Sequence, residues 1–187
     1  VAQSADGFMA PEGGSQRWLT NGLSRIITHR WRTEEQAILI GKNTAITDNP
    51  QLTARHWKGK HPTRVLIDPD NEVPLNRNIF DEQSPTIVFN RTCEARKNNI
   101  EWKKVTFGED AEIQMLNHLF EKEIQSVIIE GGAYTAETFL RAGVVDEIRV
   151  LTAPIFLYRG LRTPEFSALL NSEFRLGDNE IKIYRTL

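Results

Sequence analysis

The sequence lacks most of the features that assign a protein quickly. Among its 187 residues there is one cysteine, Cys93. That excludes an internal disulfide and any zinc site built from several cysteines. A lone thiol is compatible with a reducing compartment, and the cytoplasm is the expected location. No apolar run approaches the length of a membrane-spanning helix, and no signal-peptide pattern is present. An excess of one charge is also missing: 23 Lys and Arg stand against 25 Asp and Glu, for a formal net charge of −2. Nothing in that balance favours non-specific binding to nucleic acid or to an anionic membrane. There is no G-x-S-x-G nucleophile motif, no Walker-type phosphate loop and no full G-x-G-x-x-G. The histidines His29, His56, His61 and His118 show no metal-ligand spacing. All four are expected at the surface, and no metal is expected.

What is present is an ordinary globular composition, 40% apolar and 26% charged, with enough chain for one domain with a sizeable core. The chain opens on Val1-Ala-Gln-Ser4, without Met and in what reads as a strand. It is therefore expected to be a single domain, 1–187, cut from a longer polypeptide. Short β-branched runs recur at Ala37–Ile40, Arg64–Asp68, Thr86–Asn90 and Val127–Ile129, with a shorter candidate at Trp102–Phe107. Between them lie helical patterns. One runs from a cap at Asn21 or Ser24 to about Thr33, with Leu23, Ile26, Ile27 and Trp31 as its apolar side. Another covers Ala111–Lys122, with Ile113, Leu116, Leu119 and Phe120 inward. Asp146–Thr152 alternates as a strand, and Glu173–Thr186 reads as a hairpin about Gly177-Asp178-Asn179. Strands alternating with helices predict an α/β fold: a mostly parallel central sheet flanked by helices, with an antiparallel C-terminal hairpin.

The organising stretch is Ser126–Leu140. Val127-Ile-Ile129 is expected to be a strand buried on both faces, Gly131-Gly132 a turn without Cβ atoms, and Tyr134–Arg141 a helix. Strand, glycine turn and helix N-terminus together point free N–H groups and a positive dipole end at one spot, where an anion binds well. The competing interpretation is a plain buried strand with a tight turn. In parallel sheets ligands sit beyond the carboxyl ends of the strands. That rule gathers the Ser4 end, Gly41–Asp48, Asp68, Asn90-Arg91 and Glu130–Thr135 on one rim. On the residues alone, Asp48 is either a functional acid or a turn residue before Asn49-Pro50. Arg32 and Arg55 are either solvated charges or a bidentate clamp for a phosphate.

Taken in order, several segments form a pattern: Ser4-x-Asp6-Gly7, Arg17-Trp18-Leu19-Thr20, Arg32-Thr33, Ala37-Ile-Leu-Ile-Gly41-x-x-Thr44, Asp48-Asn49-Pro50-x-Leu52-Thr53-x-Arg55, Arg64–Asp68, Glu130-Gly131-Gly132, Gly143–Glu147 and Ala153-Pro154. This pattern resembles the reductase domain of the bifunctional riboflavin-biosynthesis deaminase/reductase, over nearly the whole chain up to about Gly160. The resemblance implies a dihydrofolate-reductase-like fold. It implies NADPH-dependent reduction of 5-amino-6-(5-phosphoribosylamino)uracil to the ribitylamino compound. Cofactor contacts would come from Ala2, Trp18, Thr44, Asp48, Gly132, Ala133, Tyr134, Thr135, Ala136, Glu137 and Thr138. Gln16, Arg32, Leu52, Arg55 and Glu130 would face the substrate, with Arg32 and Arg55 reading its phosphate. Asp48 or Glu130 would guide ring opening or protonation, and Arg91 is a candidate reader of the cofactor's extra phosphate. A homodimer is implied, as is fusion to a zinc-dependent deaminase. Gln16 and Pro69 depart from the pattern. They leave open a reductase of the same fold acting on another heterocycle such as a dihydropterin; a nucleotide-binding module without catalysis is a third alternative.

Overall fold

A computed structural model of the chain describes residues 1–13 and 19–186. In chain order the elements are β1 (Ala2–Ser4), β2 (Phe8–Pro11), α1 (Gly22–Glu34), β3 (Ala37–Gly41), α2 (Lys42–Thr47), β4 (Thr63–Ile67) and β5 (Thr86–Asn90). They continue with β6 (Ala95–Lys97), β7 (Ile100–Lys104), α3 (Ala111–Glu121), β8 (Val127–Ile129), α4 (Ala133–Arg141), β9 (Glu147–Ala153), β10 (Gly160–Arg162), β11 (Leu169–Leu176) and β12 (Asn179–Arg185). The chain divides into two compact units, one of residues 1–28 with 139–187 and one of residues 29–138.

The unit of residues 29–138 is built on a six-stranded sheet of order β6-β7-β5-β4-β3-β8. All neighbours are parallel except β6, which returns antiparallel on β7. The central strands have neighbours on both edges and cover on both faces, so Ile38, Leu39 and Ile40 are fully buried. That explains their unbroken apolar run. β8 differs from expectation. Its residues are only partly buried, because it is the last strand of its sheet and has β3 as its sole neighbour there. One core cluster packs Ile38, Ile40, Leu66 and Val88 against Ala45, Leu52, Val73, Ile79, Phe80 and Ile100. A buried cation sits beside it: the Arg64 guanidinium gives Nη1 to Asp81 Oδ1 at 2.5 Å and to Asn78 O at 3.0 Å.

The other unit carries a four-stranded sheet, β1-β9-β12-β11, and a small β10-β2 ribbon. The C-terminal hairpin is present, and it joins β9 through β12, with β11 as the outer strand. Gly177 turns it with φ 62°, a conformation that glycine adopts without a Cβ clash. Asn21 caps α1 by accepting from Ser24 N at 2.8 Å, and its Nδ2 donates to Leu176 O at 2.8 Å.

Two helices match the expected inward face only in part: Trp31 and Leu119 are buried as expected, and other positions differ. In α1 the exposed residues include Leu23 and Ile26, while Ser24, His29 and Trp31 are buried. In α3 Ile113 and Phe120 are exposed, and Ala111, Met115, His118 and Leu119 turn inward. The surface assignment of His29 and His118 is likewise corrected. Both are buried because a polar partner or a ring lies against each: His118 Nε2 is 2.8 Å from Glu101 Oε1, and His29 stacks edge-on with His56 at 4.6 Å. Among the described residues no helix is long and apolar enough to cross a membrane.

Candidate active site

The carboxyl ends of β3, β4, β5 and β8 lie on one rim of the parallel sheet and lead into Gly41, Asp68, Asn90 and Glu130. Glu130 N donates to Leu39 O at 3.0 Å, extending the β3–β8 pairing by one residue. The chain then turns at Gly131 and Gly132. A Cβ on Gly131 would stand 2.6 Å from Ile40 Cα, so the turn is pressed onto the β3 backbone. Gly132 has φ 63°, and a Cβ there would meet Thr44 Oγ1 at 3.4 Å. A Cβ on Gly41 would lie 2.5 Å from Thr135 Oγ1. Missing side chains thus bring the starts of α2 and α4 together, with Thr44 and Thr135 at the seam. The Gly-Gly pair serves packing as well as any ligand.

Among the described residues no protein acceptor bonds the backbone N–H groups of Gly131 through Thr135. Gly132 O accepts from Ala136 N at 3.1 Å, so the helical ladder starts there and only the first turn offers amides. Donors in this number beside a helix N-terminus suit a diphosphate. Glu137 and Thr138 lie beyond that turn and contribute side chains rather than amides. Thr138 Oγ1 is already donated to Thr135 O at 3.0 Å. Tyr134 is exposed, and Ala133 and Thr135 are buried.

On the substrate side of the expected site, Glu130 and Arg32 form a two-pronged ion pair. Arg32 Nε donates to Oε1 at 2.8 Å and Nη2 to Oε2 at 2.5 Å. Arg32 Nη1 also donates to Thr53 O at 2.9 Å. The guanidinium therefore holds the acid and the Thr53 loop at once, and only its outer N–H groups are left for a ligand. Arg55 is exposed and makes one long bond, Nη1 to Thr53 Oγ1 at 3.3 Å. It is the less committed of the two cations.

The loop between them is strained. Asn49 and Leu52 both have positive φ, 44° and 55°. For a leucine this costs roughly 1–2 kcal/mol, offset by burying its side chain, worth about 1.5–3 kcal/mol. The Leu52 side chain is in the core cluster, so only its backbone is left to face a substrate. Asp48 ends α2, with its N–H on Thr44 O at 3.0 Å. Its side chain is largely exposed, and the protein crowded around the carboxyl pushes its pKa above the ordinary carboxylate value.

His29, which the sequence did not single out, stands one helical turn before Arg32 and belongs to this neighbourhood. Burial pushes its pKa down to about 4, helped by the positive charges of Arg32 and Arg55 and by His56. It is neutral at physiological pH.

Other rim residues are occupied structurally. The buried Asp68 carboxylate accepts from Glu72 N at 2.9 Å and Val73 N at 2.8 Å. Arg91 pairs with Asp70 at 3.2 Å and lies over the Phe107 ring, and Lys42 pairs with Glu72. Ala2 is in β1, in the unit of residues 1–28 and 139–187. Gln16 and Trp18 lie outside the described residues. Among the described residues no three His, Cys, Asp or Glu side chains are grouped to hold a metal.

Residues 1–181 match the model of the RibD C-terminal domain. The riboflavin biosynthesis protein RibD of Aquifex aeolicus is 37% identical over 166 residues, covering 86% of this chain and 46% of that protein. A 2,5-diamino-6-ribosylamino-4(3H)-pyrimidinone 5′-phosphate reductase of Archaeoglobus fulgidus is 31% identical, covering 84% of this chain and 79% of the relative. Among solved structures, a deaminase/5-amino-6-(5-phosphoribosylamino)uracil reductase of Thermotoga maritima superposes with a TM-score of 0.87 at 25% identity, over all of this chain and 55% of that one. The riboflavin biosynthesis reductase Rib7 of Saccharomyces cerevisiae shares the fold, with a TM-score of 0.77 at 20% identity, over all of this chain and 87% of that one. The chain spans about half the length of the RibD proteins it matches. In fold and in sequence alike, it is a member of the RibD C-terminal domain family.

Proposed function

We propose that this chain is an NADPH-dependent reductase of riboflavin biosynthesis that converts 5-amino-6-(5-phosphoribosylamino)uracil to its ribitylamino product. The observation that carries the proposal is the amide-lined turn at Gly131–Thr135, which follows directly on Glu130 in its ion pair with Arg32. The donor set fits a dinucleotide's diphosphate, and Thr44 and Thr135 stand at its edge. When bound, NADPH would supply the hydride for the C1′–N double bond of the ring-opened ribosylamine. The chain's own residues provide position and a proton. Asp48, with its raised pKa, keeps its proton to a higher pH than an ordinary aspartate and is suited to passing it to the sugar oxygen or the amine nitrogen. Glu130, held by Arg32, is suited to accepting from ribose hydroxyls, and Arg55 to reading the 5′-phosphate. A fused zinc-dependent deaminase, a homodimer and a cytoplasmic location belong to the same reading, resting on resemblance to the relatives.

The test is oxidation of NADPH by the full-length protein with the ribosylaminouracil phosphate. The diaminopyrimidinone phosphate and a dihydropterin serve as comparison substrates. We expect turnover of the uracil compound. Turnover only of the diaminopyrimidinone would reassign the substrate, and turnover of none would end the reductase reading. An Arg55→Ala variant should raise substrate KM about ten- to a hundredfold, the cost of one charge-assisted bond. An unphosphorylated substrate such as a dihydropterin would not register that change.

A further inference from the structure

The segment Asp48–Arg55 holds two left-handed residues, Asn49 and Leu52, around Pro50. Such a conformation persists only where surrounding structure over-determines it. Leu52 is fixed by its buried side chain. Asn49 is fixed by a different device. Its side chain Oδ1 accepts from Asn78 N at 2.7 Å, and its backbone O accepts from Asn78 Nδ2 at 2.7 Å. Asn78 therefore donates a pair of bonds to Asn49 across 29 residues of chain. Asn78 is itself held from beneath, since its O accepts from the fully buried Arg64 at 3.0 Å, and Arg64 also grips Asp81. A continuous path of bonds thus runs from a cation in the core, through Asn78, to the residue next to Asp48.

We infer that Asn78 is a positioning residue for the reductase reaction: it holds the Asp48–Arg55 loop in its strained form, and so sets where Asp48 and Arg55 stand. The inference rests on the function proposed above. The Asn78 N–H and side chain bond Asn49 rather than the Gly131 turn or the Arg32–Glu130 pair. Its influence should therefore fall on substrate handling and leave the diphosphate cradle unchanged.

Two variants test this in the full-length protein. Asn78→Ala removes the Nδ2 donor and keeps the backbone bond. We expect substrate KM to rise about three- to tenfold, the weight of one neutral hydrogen bond, with the NADPH Kd unchanged. Amide hydrogen exchange at 48–55 should quicken while exchange at 131–136 stays as in the wild type. In Asn78→Asp a carboxylate faces the Asn49 carbonyl and has no hydrogen to give. Protonation restores the donor, so the KM of this variant alone should recover toward the wild-type value as pH is lowered. Unchanged exchange at 48–55 would overturn the inference, and so would a parallel loss of cofactor affinity. If the wild type turns over none of the substrates, the reductase reading fails on its own, and exchange at 48–55 still decides whether Asn78 holds the loop.

Discussion

Asp48 and His29 are two titratable groups whose surroundings push them to opposite uses. Crowding raises the Asp48 carboxyl, which suits a proton donor. Replacement by Asn should keep the shape of the loop and lower kcat about 10²- to 10³-fold, measurable by steady-state kinetics. His29 is held neutral, with a pKa near 4 against an ordinary 6.5. Since its folded pKa lies below the unfolded one, the unfolded chain binds the extra proton first on acidification. Stability is therefore lost as pH falls from about 6.5 to about 4, by roughly 3 kcal/mol from this group, and levels off below. Denaturant unfolding across that window should show the slope, and His29→Gln should flatten it. Truncating Glu130 to Ala would leave Arg32 half-buried without its acid. With side chains 13% and 18% exposed, the pair should be worth about 2–3 kcal/mol, below the 3–5 kcal/mol typical of full burial. Much of this residue-level picture was legible in the sequence, because glycines, acids and arginines after apolar runs mark strand ends. The Arg32–Glu130 pairing and the burial of His29 were not legible. Both depend on side chains from separate segments meeting in space, and local pattern carries no signal for that.

At the scale of elements, the glycines at the strand ends decide how closely α2 and α4 approach. Gly131→Ala would drive a Cβ into the Ile40 backbone, which cannot rotate away. A loss of about 1–3 kcal/mol is expected, seen as a lowered Tm, together with weaker NADPH binding. Gly41→Ala meets instead the Thr135 hydroxyl, which can turn aside, so its cost should be smaller. Strands β3, β4 and β5 were readable from their β-branched runs, since burial on both faces leaves little choice of residue. The helices were readable in extent but only partly in facing, Trp31 and Leu119 being inward as expected. Ser24 and His118 sit inward because each finds a partner there, Asn179 for one and Glu101 for the other, and a count of apolar residues cannot anticipate that. The short β2–β10 ribbon gave no signal, its strands being four and three residues long with Arg162 stacked over Phe8.

For the whole molecule, the homodimer reading makes a simple forecast: sedimentation should return about twice the 21.4 kDa of this chain. The open edge strand β11, with Leu169, Leu170 and Phe174 exposed, is a surface on which a Phe174→Lys change should show whether association uses it. A monomer at micromolar concentration would remove the dimer from the reading. The pairing of β3 with β8 has a consequence in time as well as in space. Ala37 lies against Val127, and 127 minus 37 leaves ninety residues for the ribosome to add before that neighbour exists. At about 5–20 residues per second, one edge of the most apolar strand stays bare for roughly 5 to 20 seconds of synthesis. During that interval the nascent chain presents an unpaired template to other chains and to chaperones. The turn at Gly131 cannot take shape until it ends.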